Sequence, residues 1–433
     1  MNRRFSTTAV AVVLVLVVAL LAAACGGGTT TTTGAAGGGT ETTAAPSGGT
    51  ETTVATGGSG ETIKIGSLYP VTGDLAKLGQ DCVNGLKMAI EEINAAGGIK
   101  SMNGAKIELV EADSQGKPDT GIAEVQRLAT KDNVAAIVGT YQSKVAIPAT
   151  AEAEKQQVPI IISMAVADAI TDSGQKYTFR ICPKADWYAK DQVSFLKDLK
   201  TLAGLDIKKV ALLHEDTDFG TSTAAGQKKY LKEAGIEVTT EVAYPSSSAD
   251  LTTQVSKVKA SNPDAVLTVT YLNDAILIMQ AKEKLGMKQL FFDAAGGTIE
   301  ADFIKRLGNT AENVLTETEF TKYAKGSEGL AKKYSDKYGT DINGNSAYSY
   351  QAAYLIADAL ERTGSADRAK LRDALASTSM PAGPNMILPT AKLEFGPDGQ
   401  NKSAPLFVVQ IEKGELIPVW PADYAAAKVI IPQ

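Results

Sequence analysis

The chain has 433 residues, and 43 Lys+Arg against 49 Asp+Glu give a formal net charge of −6. With 44% hydrophobic and 21% charged residues, it reads as a globular chain long enough for two or three domains. The acidic balance argues against a nucleic-acid partner, and one histidine with three cysteines argues against zinc or iron–sulfur ligation, so no metal and no cofactor is expected. No Gly-x-x-x-x-Gly-Lys-Ser/Thr loop offers ATP hydrolysis.

At the N-terminus, Arg3 and Arg4 precede an uncharged Ala/Val/Leu stretch, Ala9 to Ala24, which reads over residues 1–24 as an export signal. It ends in Leu21-Ala22-Ala23-Ala24-Cys25, which resembles the lipobox of bacterial lipoproteins, with Ala22 where the pattern has a large aliphatic residue. The resemblance implies acylation of Cys25 and a lipid anchor in the cell membrane. The other reading is an uncleaved span over Phe5 to Ala24; both hold the chain outside the cytoplasm. Residues 25–60 follow as a linker. Of the 35 residues from Gly26 to Gly60, 12 are Gly and 12 are Thr, too few apolar groups to offset chain entropy. As a flexible coil the linker would reach roughly 30–35 Å.

The folded part is expected from Glu61. Strand-length apolar runs cover Ile63–Leu68, Ile107–Val110, Ala135–Val138, Pro159–Ser163, Val210–Leu213, Val238–Val242, Ala265–Val269 and Leu290–Phe292. Between them lie helical patterns: Leu86, Ala89, Ile90 and Ile93 form one apolar stripe, and Leu196, Leu199 and Ala203 another after Phe195. This alternation predicts parallel sheets covered by helices on both sides. The number of units predicts an α/β protein of two doubly wound, Rossmann-like lobes. The tail predicts strands Lys392–Phe395, Leu406–Ile411 and Glu415–Trp420, the last two a hairpin around Lys413-Gly414. Cys82 and Cys182 are the only thiols beyond the linker; one disulfide and two buried free thiols are both open readings.

In such sheets ligands bind beyond the carboxyl ends of the strands. The candidate residues are therefore in Tyr69 to Gly79, Gly139-Thr140-Tyr141-Gln142-Ser143, Ser163 to Asp168, Asp216 to Gly220, Tyr271 to Asp274 and Asp293 to Gly297. They supply hydroxyls, backbone N–H groups and aromatic rings, but no nucleophile with an acid–base pair. This is the composition of a binding cleft rather than an active site.

Leu68-Tyr69-Pro70-x-Thr72-Gly73, Gly79, Gly85 and Ala89-x-Glu91-Glu92-Ile93-Asn94-Ala95-Ala96-Gly97-Gly98-Ile99 resemble the opening of the branched-chain amino-acid binding proteins of ABC importers. Tyr177-x-Phe179-Arg180, Lys209 to Leu213, Phe219-Gly220, Ala281-x4-Gly286-Met287-Lys288 and Val419-Trp420-Pro421 continue the resemblance across 61–433. It implies a type I periplasmic binding fold, with residues 61–184 plus 318–390 as lobe 1 and 185–317 plus 391–433 as lobe 2. Three hinge crossings are expected near Pro183–Asp186, Thr316–Glu319 and Asn385–Lys392. The implied function is an extracytoplasmic solute receptor that captures a small amino acid, amide or related organic acid and delivers it to permease subunits served by a separate ATPase.

Carried over by position, the ligand carboxylate would meet Ser143 and the turn Ala165, Val166, Ala167, where Ala167 replaces a second hydroxyl. Phe219 and Tyr271 would form aromatic walls, beside Tyr141 and Gln142. Leu78 and Trp187 would add apolar surface. The acid that pairs with the ligand ammonium falls at Ala295, so a branched-chain amino acid is expected only if Asp293 or Asp274 substitutes, since a buried ammonium without a counter-charge costs several kcal/mol; amides, aromatic acids and short organic acids stay open.

Each residue also has a plainer reading: Ser143 as a helix cap, Phe219 and Tyr271 as core, Asp293 as a cap, His214 as packing, and Glu91 and Glu92 as a solvated face. An enzyme is disfavoured because the Gly-x-Ser-x-Gly elbow is absent and His214 is the only imidazole base. A ligand-sensing receptor that docks on a signalling partner is the alternative to import.

Overall fold

The computed structural model describes residues 61–324 and 327–431. The export signal, Cys25 and the Gly/Thr linker lie outside the described residues. Among the described residues no helix is long and apolar enough to cross a membrane.

The first lobe runs β1 (Ile63–Tyr69), α1 (Ala76–Ala95), β2 (Ile107–Asp113), α2 (Pro118–Thr130), β3 (Ala136–Gly139), α3 (Ser143–Lys155), β4 (Ile160–Ile162), α4 (Ala169–Asp172) and β5 (Thr178–Arg180). The strands pair in the order β2-β1-β3-β4-β5, all parallel. β3 and β4 are wholly buried and apolar, as strands covered on both faces must be.

The chain then crosses into the second lobe: α5 (Ala185–Ala203), β6 (Lys209–Glu215), α6 (Asp218–Ala234), β7 (Glu237–Tyr244), α7 (Thr252–Ala260), β8 (Ala265–Val269), α8 (Leu272–Lys284), β9 (Leu290–Asp293), α9 (Ala301–Leu307) and β10 (Leu315–Thr318). It returns as α10 (Glu328–Tyr338), α11 (Gly344–Thr363), α12 (Arg368–Ala376), β11 (Ser379–Pro381) and β12 (Lys392–Glu394). It ends in the second lobe with β13 (Phe407–Glu412) and β14 (Glu415–Trp420). The second sheet has the order β14-β13-β10-β9-β8-β6-β7, parallel except for the antiparallel β13 and β14.

The predicted apolar stripe of α1 is buried: Leu86 and Ala89 completely, Ile90 and Ile93 nearly so. It packs against α11, and this contact is close because Gly85 faces α11. A Cβ at Gly85 would lie 2.0 Å from the backbone oxygen of Ser346. In α5, Leu196 and Leu199 are buried but Ala203 is exposed, where the helix ends on the left-handed Gly204. The two faces of the second sheet carry separate apolar clusters, one under α5 and α6 and one under α7, α8 and α9.

One expectation from the sequence is corrected, and one open reading is decided. The third crossing does not fall at Asn385–Lys392. β12 pairs with β11, Phe395 packs on Phe179 with ring centroids 5.2 Å apart, and Gln400 bridges to Arg180. The chain therefore stays with the first lobe through about residue 401, so the segment from 391 that was assigned to lobe 2 enters it only as β13 begins. Cys82 and Cys182 are separate, buried free thiols. Cys182 Sγ donates to the Ala165 carbonyl at 3.6 Å, and burial pushes its thiol up to about 12.

Gly85→Ala should force α1 and α11 apart. The expected loss is about 1–3 kcal/mol of stability, the usual cost of overpacking, read as a lower denaturant midpoint in equilibrium unfolding.

Candidate functional site

Between the lobes lies a cavity lined by Tyr141, Ser143, Met164 and Val166 of the first lobe and by Phe219, Tyr271, Ala294, Ala295 and Ile299 of the second. Tyr188 at the start of α5, Glu319 just after β10 and Asn345 in the first turn of α11 complete it. Its free volume is about 30 Å³, room for roughly two water molecules. Aromatic rings fill the rest: Tyr271 sits 6.1 Å from Tyr141 across the lobe boundary and 5.4 Å from Phe219. A solute of amino-acid size enters only when the lobes part or these rings swing out.

Ser143 is the first residue of α3 and does not act as its cap; Gln142 precedes the helix, which has no side-chain cap. Instead Ser143 Oγ accepts a hydrogen bond from Ala167 N at 3.1 Å, which leaves its own proton free to donate. The first four N–H groups of an α-helix have no i−4 partner within it, and the aligned peptide dipoles put partial positive charge there. The corresponding ends in the second lobe are already filled. Glu215 accepts from Thr217 N at 2.7 Å and Gly220 N at 2.6 Å at the start of α6. Asp274 accepts from Tyr271 N at 2.9 Å at the start of α8. The open anion-accepting end of the cavity is therefore on the first lobe.

Of the residues expected from the sequence, Tyr141, Ser143, Val166, Phe219, Tyr271 and Ala295 come together around this cavity. Ala165 and Ala167 turn away, their amide groups used by Thr140 O and Ser143 Oγ. Leu78 is buried in the first-lobe core, Trp187 packs on that core, and Gln142 is buried with its side chain beside Gly116. Asp293 does not reach the cavity. Its carboxylate accepts from Thr268, Thr270 and Thr298 hydroxyls at 2.7–3.1 Å inside the second lobe, where burial pushes its pKa well up. Asp274 is likewise occupied, by Tyr271 N and by the Tyr244 hydroxyl at 2.7 Å. The sequence reading missed Met164, Tyr188, Glu319 and Asn345. Met164 lies in a turn already singled out, and Glu319 closes an expected hinge crossing, but nothing in the local pattern marks Asn345.

Polar contacts tie the lobes beside the cavity. Asp168 N donates to Ser222 Oγ at 3.2 Å, and Asn345 Nδ2 donates to Glu300 Oε1 at 3.1 Å. Glu300 also borders a neighbouring cavity of about 360 Å³ that shares Ile299 and carries Lys77 and Asp81 on its first-lobe wall. Among the described residues no group of acids, histidines and cysteines is placed to hold a metal ion.

This arrangement can hold a small solute between two lobes, and the comparisons with known proteins place it in a family. The profile of the periplasmic binding proteins matches residues 62–415. The chain belongs to the periplasmic binding protein family. A Leu/Ile/Val-binding protein homolog 7 of Brucella suis biovar 1 is 34% identical over 382 residues, covering 86% of this chain and 94% of that one. Two solved structures share the fold. The branched-chain amino-acid substrate-binding protein LivJ of Streptococcus pneumoniae, in complex with isoleucine, has a TM-score of 0.72 and 24% identity, covering 82% of this chain and 98% of that one. A solute-binding protein of Rhodopseudomonas palustris BisB5, in complex with 3,4-dihydroxybenzoic acid, has a TM-score of 0.70 and 22% identity, covering 82% of this chain and 95% of that one. The type I periplasmic binding fold expected from the sequence is thus present. Membership in a family of solute receptors makes this a binding protein rather than an enzyme.

Burial pushes Glu300 up to about 8, with Asp81 adding to the rise and Lys77 opposing it. The Asn345 bond pulls against this rise; parting the lobes would lose that bond but return the carboxyl to water, and because burial is the larger effect the net change should be toward the ordinary 4.5. Closure therefore takes up a proton between these values. The contribution is fully present below about 4.5 and is lost as pH rises to about 8. Solute affinity should carry a falling component across that window, at most about tenfold per pH unit. Glu300→Gln should remove that component in calorimetric titrations run at pH 5, 6, 7 and 8.

Proposed function

We propose that the protein is the lipid-anchored, extracytoplasmic solute receptor of an ABC importer, capturing a small amino acid, amide or related organic acid and delivering it to the permease. The observation that carries this reading is the uncapped N-terminus of α3, with the Ser143 hydroxyl, facing Phe219 and Tyr271 across the lobe boundary. A carboxylate or carbonyl oxygen would sit at Ser143 and the helix end, where N–H dipoles converge. The aromatic walls would cover the apolar body of the solute. Isoleucine and 3,4-dihydroxybenzoic acid, the solutes named for the two structural neighbours, both present a carboxylate, which supports this placement.

Binding to both lobes at once favours the closed form, a hinge closure. The closed pair of lobes is the surface for a permease to recognise, and the transport energy comes from the separate ATPase. Acylation at Cys25 and the Gly/Thr linker would hold the receptor at the membrane with freedom to swing.

A thermal-shift screen of branched-chain and other amino acids, short amides and aromatic carboxylates tests the reading. A specific solute at about 100 times its dissociation constant should stabilise the fold by about 2.7 kcal/mol. Ser143→Ala should weaken the solute found by about 1–3 kcal/mol, the range for a hydrogen bond to a charged group. Unchanged affinity in calorimetry removes Ser143 from the site, and a screen without hits contradicts the receptor assignment.

A further inference from the structure

The acid expected at Ala295 is missing, Asp293 and Asp274 are consumed inside the second lobe, and no lysine or arginine lines the cavity among the described residues. One carboxylate does line it. Glu319 follows β10 at the second hinge crossing and is 2% exposed. The Tyr188 hydroxyl donates to its Oε1, while its Oε2 is buried without any hydrogen-bond partner. Beside it, Asn345 uses Nδ2 to reach Glu300 and leaves its buried Oδ1 unpartnered as well. Two buried acceptors without a donor thus lie in one wall of the cavity, a state that a bound donor would relieve.

The surroundings make room for a carboxylate here. Gly344 opens α11, and a Cβ at that position would lie 2.6 Å from Glu319 Oε2. The N-terminal end of α11 also favours negative charge at this point. Burial nonetheless pushes the Glu319 carboxyl up, so the anion lacks its full compensation. A primary ammonium carries three donors, no acceptor and a positive charge. It satisfies both open acceptors and neutralises the carboxylate, while the opposite wall keeps the donors of Ser143 and α3 for an anion.

Building on the receptor reading, we infer that Glu319, assisted by Asn345 Oδ1, takes the place of the lost acid and selects solutes that carry a primary ammonium, making the preferred class α-amino acids. Glu319 is then the residue that discriminates an amino acid from the same acid without its amine.

The test is isothermal titration calorimetry on the purified protein with L-leucine, L-isoleucine and L-valine and with their amine-free counterparts, 4-methylpentanoate, 3-methylpentanoate and 3-methylbutanoate. Wild type should bind at least one amino acid and prefer it to its counterpart. Glu319→Gln keeps an acceptor for Tyr188 and should lower that affinity about 10- to 100-fold, as for loss of a charge-assisted hydrogen bond, with carboxylate affinity held within about threefold. Glu319→Asp, which keeps the charge, should recover part of the loss and serves as the measurement if Glu319→Gln does not fold. Equal binding of amine-free acids by wild type, or equal loss of both classes in Glu319→Gln, overturns the role of Glu319 while the receptor reading stands. Binding of 3,4-dihydroxybenzoate but of no amino acid does the same. Failure of every acid and amide to bind overturns both.

Discussion

A single buried guanidinium holds the site and the hinge in register. Arg180 ends β5 with no exposed surface and with no carboxylate in hydrogen-bond contact. It donates to the Val166 and Ala167 carbonyls at 2.9 and 2.7 Å, to Thr171 Oγ1 at 2.8 Å and to the Gln400 side chain. The first two partners fix the turn that carries Val166 to the cavity and aims Ala167 N at Ser143. Gln400 belongs to the returning segment and itself donates to the Cys182 carbonyl at 2.9 Å, while Asn401 Nδ2 donates to Ile181 O at 3.0 Å. The first and third crossings are therefore stitched together directly beneath the binding turn. A buried charge held only by neutral acceptors is costly unless each donor is used, so any slip of the returning segment would be penalised at the turn.

On that frame the cavity is polar in a directed sense. Donors converge from the first lobe, where α3 opens without a cap. Acceptors converge at the hinge side, where Glu319 Oε2 and Asn345 Oδ1 lack donors. The second lobe contributes apolar walls, because its own helix ends are satisfied internally by Glu215 and Asp274. On the proposed reading this division would sort solutes by their two ends and leave the body to aromatic contact, so that the loss of an acid at Ala295 would relocate a charge without removing it.

The alternation of strands and helices was legible because parallel strands buried on both faces are nearly pure apolar runs, as in Ile160-Ile161-Ile162. β5 and β10 escaped this reading because their buried positions are held by Thr178, Arg180, Thr316, Glu317 and Thr318, polar residues that only tertiary partners can satisfy. The turns that line the cavity were legible from their position after strands. The fate of Asp293 was not, since the hydroxyls that surround it come from β8, the turn after β8 and the turn after β9. Glu319 was hidden for the opposite reason: it lies in a segment read as hinge, and only the folding of Gly344 and Tyr188 around it makes it part of the cavity wall. The third crossing was misplaced because the pairing of β11 with β12 has no apolar signature.

On the proposed mechanism, solute is taken by closure of two lobes around a cavity too small to admit it as it stands. Small-angle X-ray scattering of the purified protein, with and without a saturating solute from the thermal-shift screen, tests this most directly. Lobe closure predicts a larger radius of gyration without solute and contraction on adding it. Superimposable scattering curves in the two states, with binding verified on the same sample, would contradict it.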